Sequence, residues 1–131
     1  MYDLFISYAS EERRSVVLPI VNRLSDSGLK VWYDDERLVI GSSLLQLISQ
    51  GLKQSRYGVV VLSRNFFLKD WPKYELDQLT VNKFDKILPV LHEITYKDLA
   101  RHAPMVAHKR GVLTSEGLQR VCQEIIQVVQ S

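Results

Sequence analysis

The sequence predicts an α/β protein, a flavodoxin-like three-layer sandwich. Its five-stranded parallel sheet runs in the order 2-1-3-4-5, with helices on both faces. Apolar runs of strand length alternate with stretches of helical period from one end of the chain to the other. The runs Leu4-Phe5-Ile6 and Val59-Val60-Val61-Leu62 are continuous, as in a strand covered on both faces. With 131 residues the chain is one domain, 1–131, large enough for a proper core.

The first strand spans residues 2–8. A helix follows over 11–27, with Val17, Ile20, Val21 and Leu24 on one stripe. Ser10 is its expected N-cap, and Glu11 and Glu12 suit the positive end of the helix dipole. Pro19 deletes a helical hydrogen bond, so the helix bends there or begins later. Gly28 is a suitable stop. The second strand covers 29–33, and a helix over 43–54, capped by Ser42 or Ser43, turns Leu45, Ile48 and Leu52 inward. The third strand covers 57–62. The next helix runs over 70–81 with Pro72 in its first turn, where proline is tolerated. The fourth strand is 86–91, followed by a short helix over 95–103 and a short edge strand over 110–113. A last helix, 115–129, is capped by Ser115. It buries Leu118, Val121, Cys122, Ile125, Ile126 and Val129.

Composition narrows the function classes. Apolar residues make up 46% and charged residues 24% of the chain, as in an ordinary globular protein. A net charge of +2 is too small to imply nucleic acid or an anionic membrane as partner. No apolar run approaches the ~20 residues that cross a bilayer. The single cysteine, Cys122, forms no internal disulfide and reads as a core thiol. With no apolar leader, this points to a cytoplasmic protein. His92, His102 and His108 lack metal-ligand spacing, so no metal is expected. Neither a dinucleotide fingerprint nor a phosphate-cradling loop of the usual kind is present, and no resident cofactor is expected.

The most informative segment is Trp71-Pro72-Lys73-Tyr74-Glu75. Positions four apart share a helix face, so the ring and the carboxylate project together. They follow a strand at the sheet edge where open α/β folds place ligands. The alternative is a core tryptophan beside a solvated glutamate.

The order of segments decides more than any one of them. Tyr2-Asp3-Leu4-Phe5-Ile6-Ser7-Tyr8-Ala9-Ser10, then Gly28-Leu29-Lys30-Val31-Trp32-Tyr33-Asp34-Asp35, then Arg37-Leu38-Val39-Ile40-Gly41-Ser42, and Ile87-Leu88-Pro89-Val90-Leu91-His92 together resemble a Toll/interleukin-1 receptor (TIR) domain. The resemblance spans essentially the whole chain. Ile6-Ser7-Tyr8-Ala9-Ser10 looks most like prokaryotic members. Residues 34–43 look like the family's BB loop, with Val39, Ile40 and Gly41 in its interaction segment.

The resemblance implies that Glu75 is the catalytic residue, Trp71 the aromatic near the pocket, and NAD+ the substrate rather than a cofactor. It nominates Ser7, Tyr8 and Ala9 as substrate contacts, with Phe5, Arg37 and Leu38 beside them. It implies homotypic assembly with other TIR domains as the route to activity, in bacterial defence signalling. Two rivals stay open. One is a non-enzymatic TIR–TIR interaction module, either adaptor or host mimic. The other is a deoxyribosyltransferase-like enzyme acting on a nucleoside.

Overall fold

A computed structural model describes residues 1–33, 44–68, 86–102 and 111–131. The strands are β1 (Tyr2–Ser7), β2 (Val31–Trp32), β3 (Ser55–Ser63), β4 (Ile87–His92) and β5 (Val112–Leu113). They form one parallel sheet in the expected order, β2-β1-β3-β4-β5. The helices are α1 (Leu18–Asp26), α2 (Leu44–Gln54), α3 (Arg64–Phe67), α4 (Tyr96–His102) and α5 (Leu118–Gln130).

Strand periodicity sorts the core into two layers. Leu4, Ile6, Val59 and Val61 point to one face and pack against Ile20 and Leu24 of α1, Val17 just before it, and Val121 and Ile125 of α5. Phe5, Val60 and Leu62 point to the other, against Leu47 and Ile48 of α2, Phe66 of α3 and Leu99 of α4. Cys122 lies in the first layer, and burial pushes its thiol pKa up. The tip of the Phe5 ring is held so close to α2 and β3 that a Cβ on Gly51 would sit 2.6 Å from it and one on Gly58 2.5 Å.

The helical region after β1 departs from a single helix in an informative way. Ser10–Glu12 is a 3-10 turn, Arg13–Val17 a π turn, and α1 begins only at Leu18. Pro19 stands in the first turn of α1, where its missing N–H costs nothing. The chain upstream widens instead of continuing a regular ladder. Ser10 does not cap this region. Ala9 holds the N-cap position, and the Ser10 hydroxyl donates to Glu11 Oε1 at 3.1 Å. Gly28, at φ 89°, follows α1 as the sequence predicts.

Two further expectations need correction. Ser115 is not the cap of the last helix. Residues Thr114–Glu116 form a 3-10 turn, and Gly117 takes the N-cap at φ 99°, a conformation side chains rarely adopt. The edge strands β2 and β5 are two residues each, shorter than predicted. α3 has no counterpart in the sequence prediction. The Ser63 hydroxyl accepts from the Phe66 N–H at 3.0 Å and starts it directly at the end of β3. The helix expected over 70–81 and the BB loop over 34–43 lie outside the described residues.

Candidate functional site

The carboxyl edge of the sheet is stepped. β1 ends at Ser7, level with Val60, whereas β3 and β4 continue three residues farther to the Ser63–His92 pair. At ~3.3 Å per residue this leaves a recess roughly 10 Å deep above the end of β1. The chain leaving β1 passes through Tyr8 and Ala9 into the 3-10 turn that carries Glu11 and Glu12.

The nominated residues after β1 divide by burial. Ser7 is 4% exposed, Ala9 is 2% exposed and Phe5 is fully buried. Phe5 belongs to the core beneath the edge, so its side chain faces α2 and β3 rather than solvent. Tyr8 is half-buried, and its hydroxyl accepts from Arg13 Nη1 at 3.1 Å. The Arg13 guanidinium also lies 5.6 Å from the centre of the Tyr33 ring, within cation–π range. One arginine therefore bridges the residue after β1 and the residue after β2, where the BB loop segment begins. Trp32, at the end of β2, is buried and stacks on Tyr2 with ring centres 5.7 Å apart. Glu75, Trp71, Arg37, Leu38, Val39, Ile40 and Gly41 lie outside the described residues.

At the ends of β3 and β4 lies a mostly polar cleft of about 460 Å³. Its walls include Glu11, Glu12, Ser63, Arg64, Asn65 and His92. Glu11 and Glu12 read alike in the sequence, as dipole-favoured acids, but the structure separates them. Glu11 is exposed, while Glu12 is only 3% exposed. Glu12 receives long contacts from the Asn65 amide, 3.4 Å to one oxygen and 3.5 Å to the other. His92 is oriented by a 2.8 Å hydrogen bond between its Nδ1 and Thr114 Oγ1. Its Nε2 faces Glu93 Oε1 at 3.8 Å. Glu93 turns the chain away from β4 at φ 55°.

Arg13, Glu12, Asn65 and His92 were not picked out by sequence reasoning. Glu12, Asn65 and His92 meet at the cleft from three separate stretches of the chain, and Arg13 meets Tyr8 and Tyr33 apart from it. Among the described residues, no cluster of His, Cys, Asp and Glu is arranged to hold a metal ion. No helix among them is long and apolar enough to cross a membrane.

The TIR domain family matches residues 4–122 of the chain. The chain is 42% identical over 132 residues to "2' cyclic ADP-D-ribose synthase AbTIR" of Acinetobacter baumannii, covering 98% of this chain and 49% of that protein. It is 38% identical over 131 residues to "NAD(+) hydrolase TcpA" of Theionarchaea archaeon, covering 98% of this chain and 40% of that protein. The chain thus spans about half or less of the length of these curated relatives. Among solved structures, the fold is similar to the TIR domain of the Toll-related receptor TRR-2 from Hydra magnipapillata. The TM-score is 0.66 at 22% identity, with both chains fully covered.

Proposed function

We propose that this chain, which belongs to the TIR domain family, cleaves the bond between nicotinamide and ribose in NAD+. The observation that carries this reading is the 42% identity, along almost the whole chain, to a protein named as a cyclic ADP-ribose synthase. The Trp71-Pro72-Lys73-Tyr74-Glu75 segment supports it as a sequence feature, since the pattern predicts a helix there and a helix brings residues four apart to one face.

The chemistry suits one acid without a metal. The C1′–N bond breaks, and nicotinamide leaves as a neutral group with the bonding electrons. Positive charge develops on the ribose, as in glycoside hydrolysis. The Glu75 carboxylate orients the ribose hydroxyls and stabilises that charge. The Trp71 ring lowers the local dielectric and strengthens the effect. Capture by water gives ADP-ribose, and capture by a hydroxyl of the same molecule gives a cyclic product. Tyr8, held by Arg13 at the carboxyl edge of β1, is the described residue best placed to touch substrate. Ser7 and Ala9 contribute through their backbone at the same edge.

In this reading the active unit is an assembly of copies, with the BB loop of one protomer completing the pocket of the next, and its role is bacterial defence. The test is nicotinamide release from NAD+ by purified protein, dilute and then clustered on a surface. Release that rises with clustering supports the reading. No release under any condition assigns the chain to homotypic interaction alone.

A further inference from the structure

We propose that Arg13 is a positioning residue of the substrate edge, acting through Tyr8 and Tyr33 so that the three side chains work as one unit. The inference rests on the reading of the chain as an NAD+-cleaving enzyme, and it adds Arg13 and Tyr33 to that site.

The backbone brings the unit together. β1 and β2 are neighbours in the sheet, with Phe5 paired to Trp32. Tyr33 stands one residue beyond that pair and Tyr8 three, on adjacent stretches of chain. Both rings pack on the same side of the sheet, against the core layer that holds α1 and α5. Neither residue is fully buried, so packing alone does not fix the outer end of either ring.

Arg13 supplies the missing restraint. It opens the π turn Arg13–Val17, and π turns are rare in proteins and frequent at functional sites. Its Nη1 donates to the Tyr8 hydroxyl at 3.1 Å, a bond strengthened by the charge on the donor. The guanidinium lies 5.6 Å from the centre of the Tyr33 ring, within cation–π range. A planar group that is always charged makes both contacts at once, which the point charge of an ammonium does less well. One side chain therefore holds two rings from neighbouring strands. Tyr8 is the described residue best placed to touch substrate, so Arg13 sets where that contact falls, and displacing an orienting group is costly.

A brace that only stabilised the fold would lower Tm and the fraction of active protein. That reduces kcat and leaves KM unchanged. A positioning residue raises KM in protein that is equally well folded.

The experiment is a double-mutant cycle read by steady-state nicotinamide release on clustered protein, with the Tm of every variant. Arg13→Ala and Tyr8→Phe are each expected to raise KM for NAD+ by about tenfold. Together they should raise it by no more than about threefold beyond the larger single effect, against about a hundredfold for independent residues. Tyr33→Leu keeps apolar bulk but removes the ring face. It should raise KM by about threefold in the parent and have no further effect in Arg13→Ala. Arg13→Gln keeps a planar donor without the charge and takes the place of Arg13→Ala should that variant fail to fold.

An active parent whose Arg13 variants keep the parental KM would overturn the positioning role. Single effects that multiply in the double variant would show Arg13 and Tyr8 acting separately, and an equal effect of Tyr33→Leu in both backgrounds would take Tyr33 out of the unit. A clustered parent that releases no nicotinamide would overturn the enzymatic reading and this inference with it.

Discussion

Arg13 donates to the Tyr8 hydroxyl at 3.1 Å while its guanidinium lies 5.6 Å from the centre of the Tyr33 ring. The π turn over Arg13–Val17 sets the side chain in that position. A regular helix from residue 11 would rotate it relative to the sheet edge. The arginine thereby ties Tyr8, the residue after β1, to Tyr33, the residue after β2.

Arg13→Ala should therefore raise KM for NAD+ by about tenfold, with a smaller effect on kcat, because it loosens residues that orient substrate rather than the acid itself. Arg13→Lys keeps the charge but loses the planar fork, so it should rescue only part of the loss. Steady-state kinetics on clustered protein read the split. An equal fall in kcat with unchanged KM would show that Arg13 does not act through substrate orientation.

Glu75→Gln should lower nicotinamide release by at least about a hundredfold, the scale of losing one preorganised electrostatic group. Its circular dichroism spectrum and Tm should match the parent. A folded variant with full activity would take Glu75 out of the mechanism.

Ile40→Asp tests the shared pocket. The change places a charge in the apolar triplet Leu38-Val39-Ile40 of the BB loop segment. Self-association by light scattering and NAD+ cleavage should fall together, and forced dimerisation should restore part of the cleavage. Normal cleavage alongside lost association would separate the two.

Gly51→Ala weighs helix propensity against packing. Alanine favours a helix interior over glycine by about 1 kcal/mol. Here its Cβ would stand 2.6 Å from three atoms of the Phe5 ring, whose tip already presses on Gly58. The ring is fully buried and has little room to retreat. Overpacking of this kind costs about 1–3 kcal/mol, so the net change should be destabilising. Chemical denaturation checks it, and a variant more stable than the parent would mean that the ring moves freely.

The start of α4 should show an acid-sensitive contribution. The Asp98 carboxylate accepts from the Thr95 N–H at 3.3 Å, and Thr95 Oγ1 accepts from the Asp98 N–H at 3.1 Å, forming a reciprocal cap. The bond from the Thr95 backbone, and then the one from its side chain, lowers the pKa of Asp98. A carboxyl lowered in the folded state adds stability above its unfolded pKa, about 3.9, and loses it as pH falls through the folded value. Asp98→Asn should lower Tm at neutral pH and narrow its gap to the parent below about pH 4. A gap of constant size across that range would exclude the charged cap.

Residue pattern alone determined the sheet and its partners. The runs around Leu4-Phe5-Ile6 and Val59-Val60-Val61 read as doubly covered strands, and the Val17, Ile20, Val21 and Leu24 stripe reads as buried. All are where pattern placed them, because side-chain alternation and helical period are local properties. Gly28 was legible for the same reason. The end of β1 was legible too, with Ser7 closing the strand and Tyr8 and Ala9 directly after it.

Tertiary structure decided the rest. Glu12 and Glu11 are identical neighbours, yet only Glu12 is buried, with its carboxylate against the Asn65 amide from a distant part of the chain. The recess exists because β3 and β4 outrun β1 by three residues, a matter of register between strands distant in sequence. Ser115 had the better capping chemistry, yet Gly117 caps the last helix because the chain enters α5 at a φ of 99°. The Arg13–Tyr8 bond is made from a π turn, Arg13–Val17, that no residue pattern marks. The recess and the Glu12–Asn65 contact join groups that the sequence keeps far apart, so folding brings them together and no local pattern announces them.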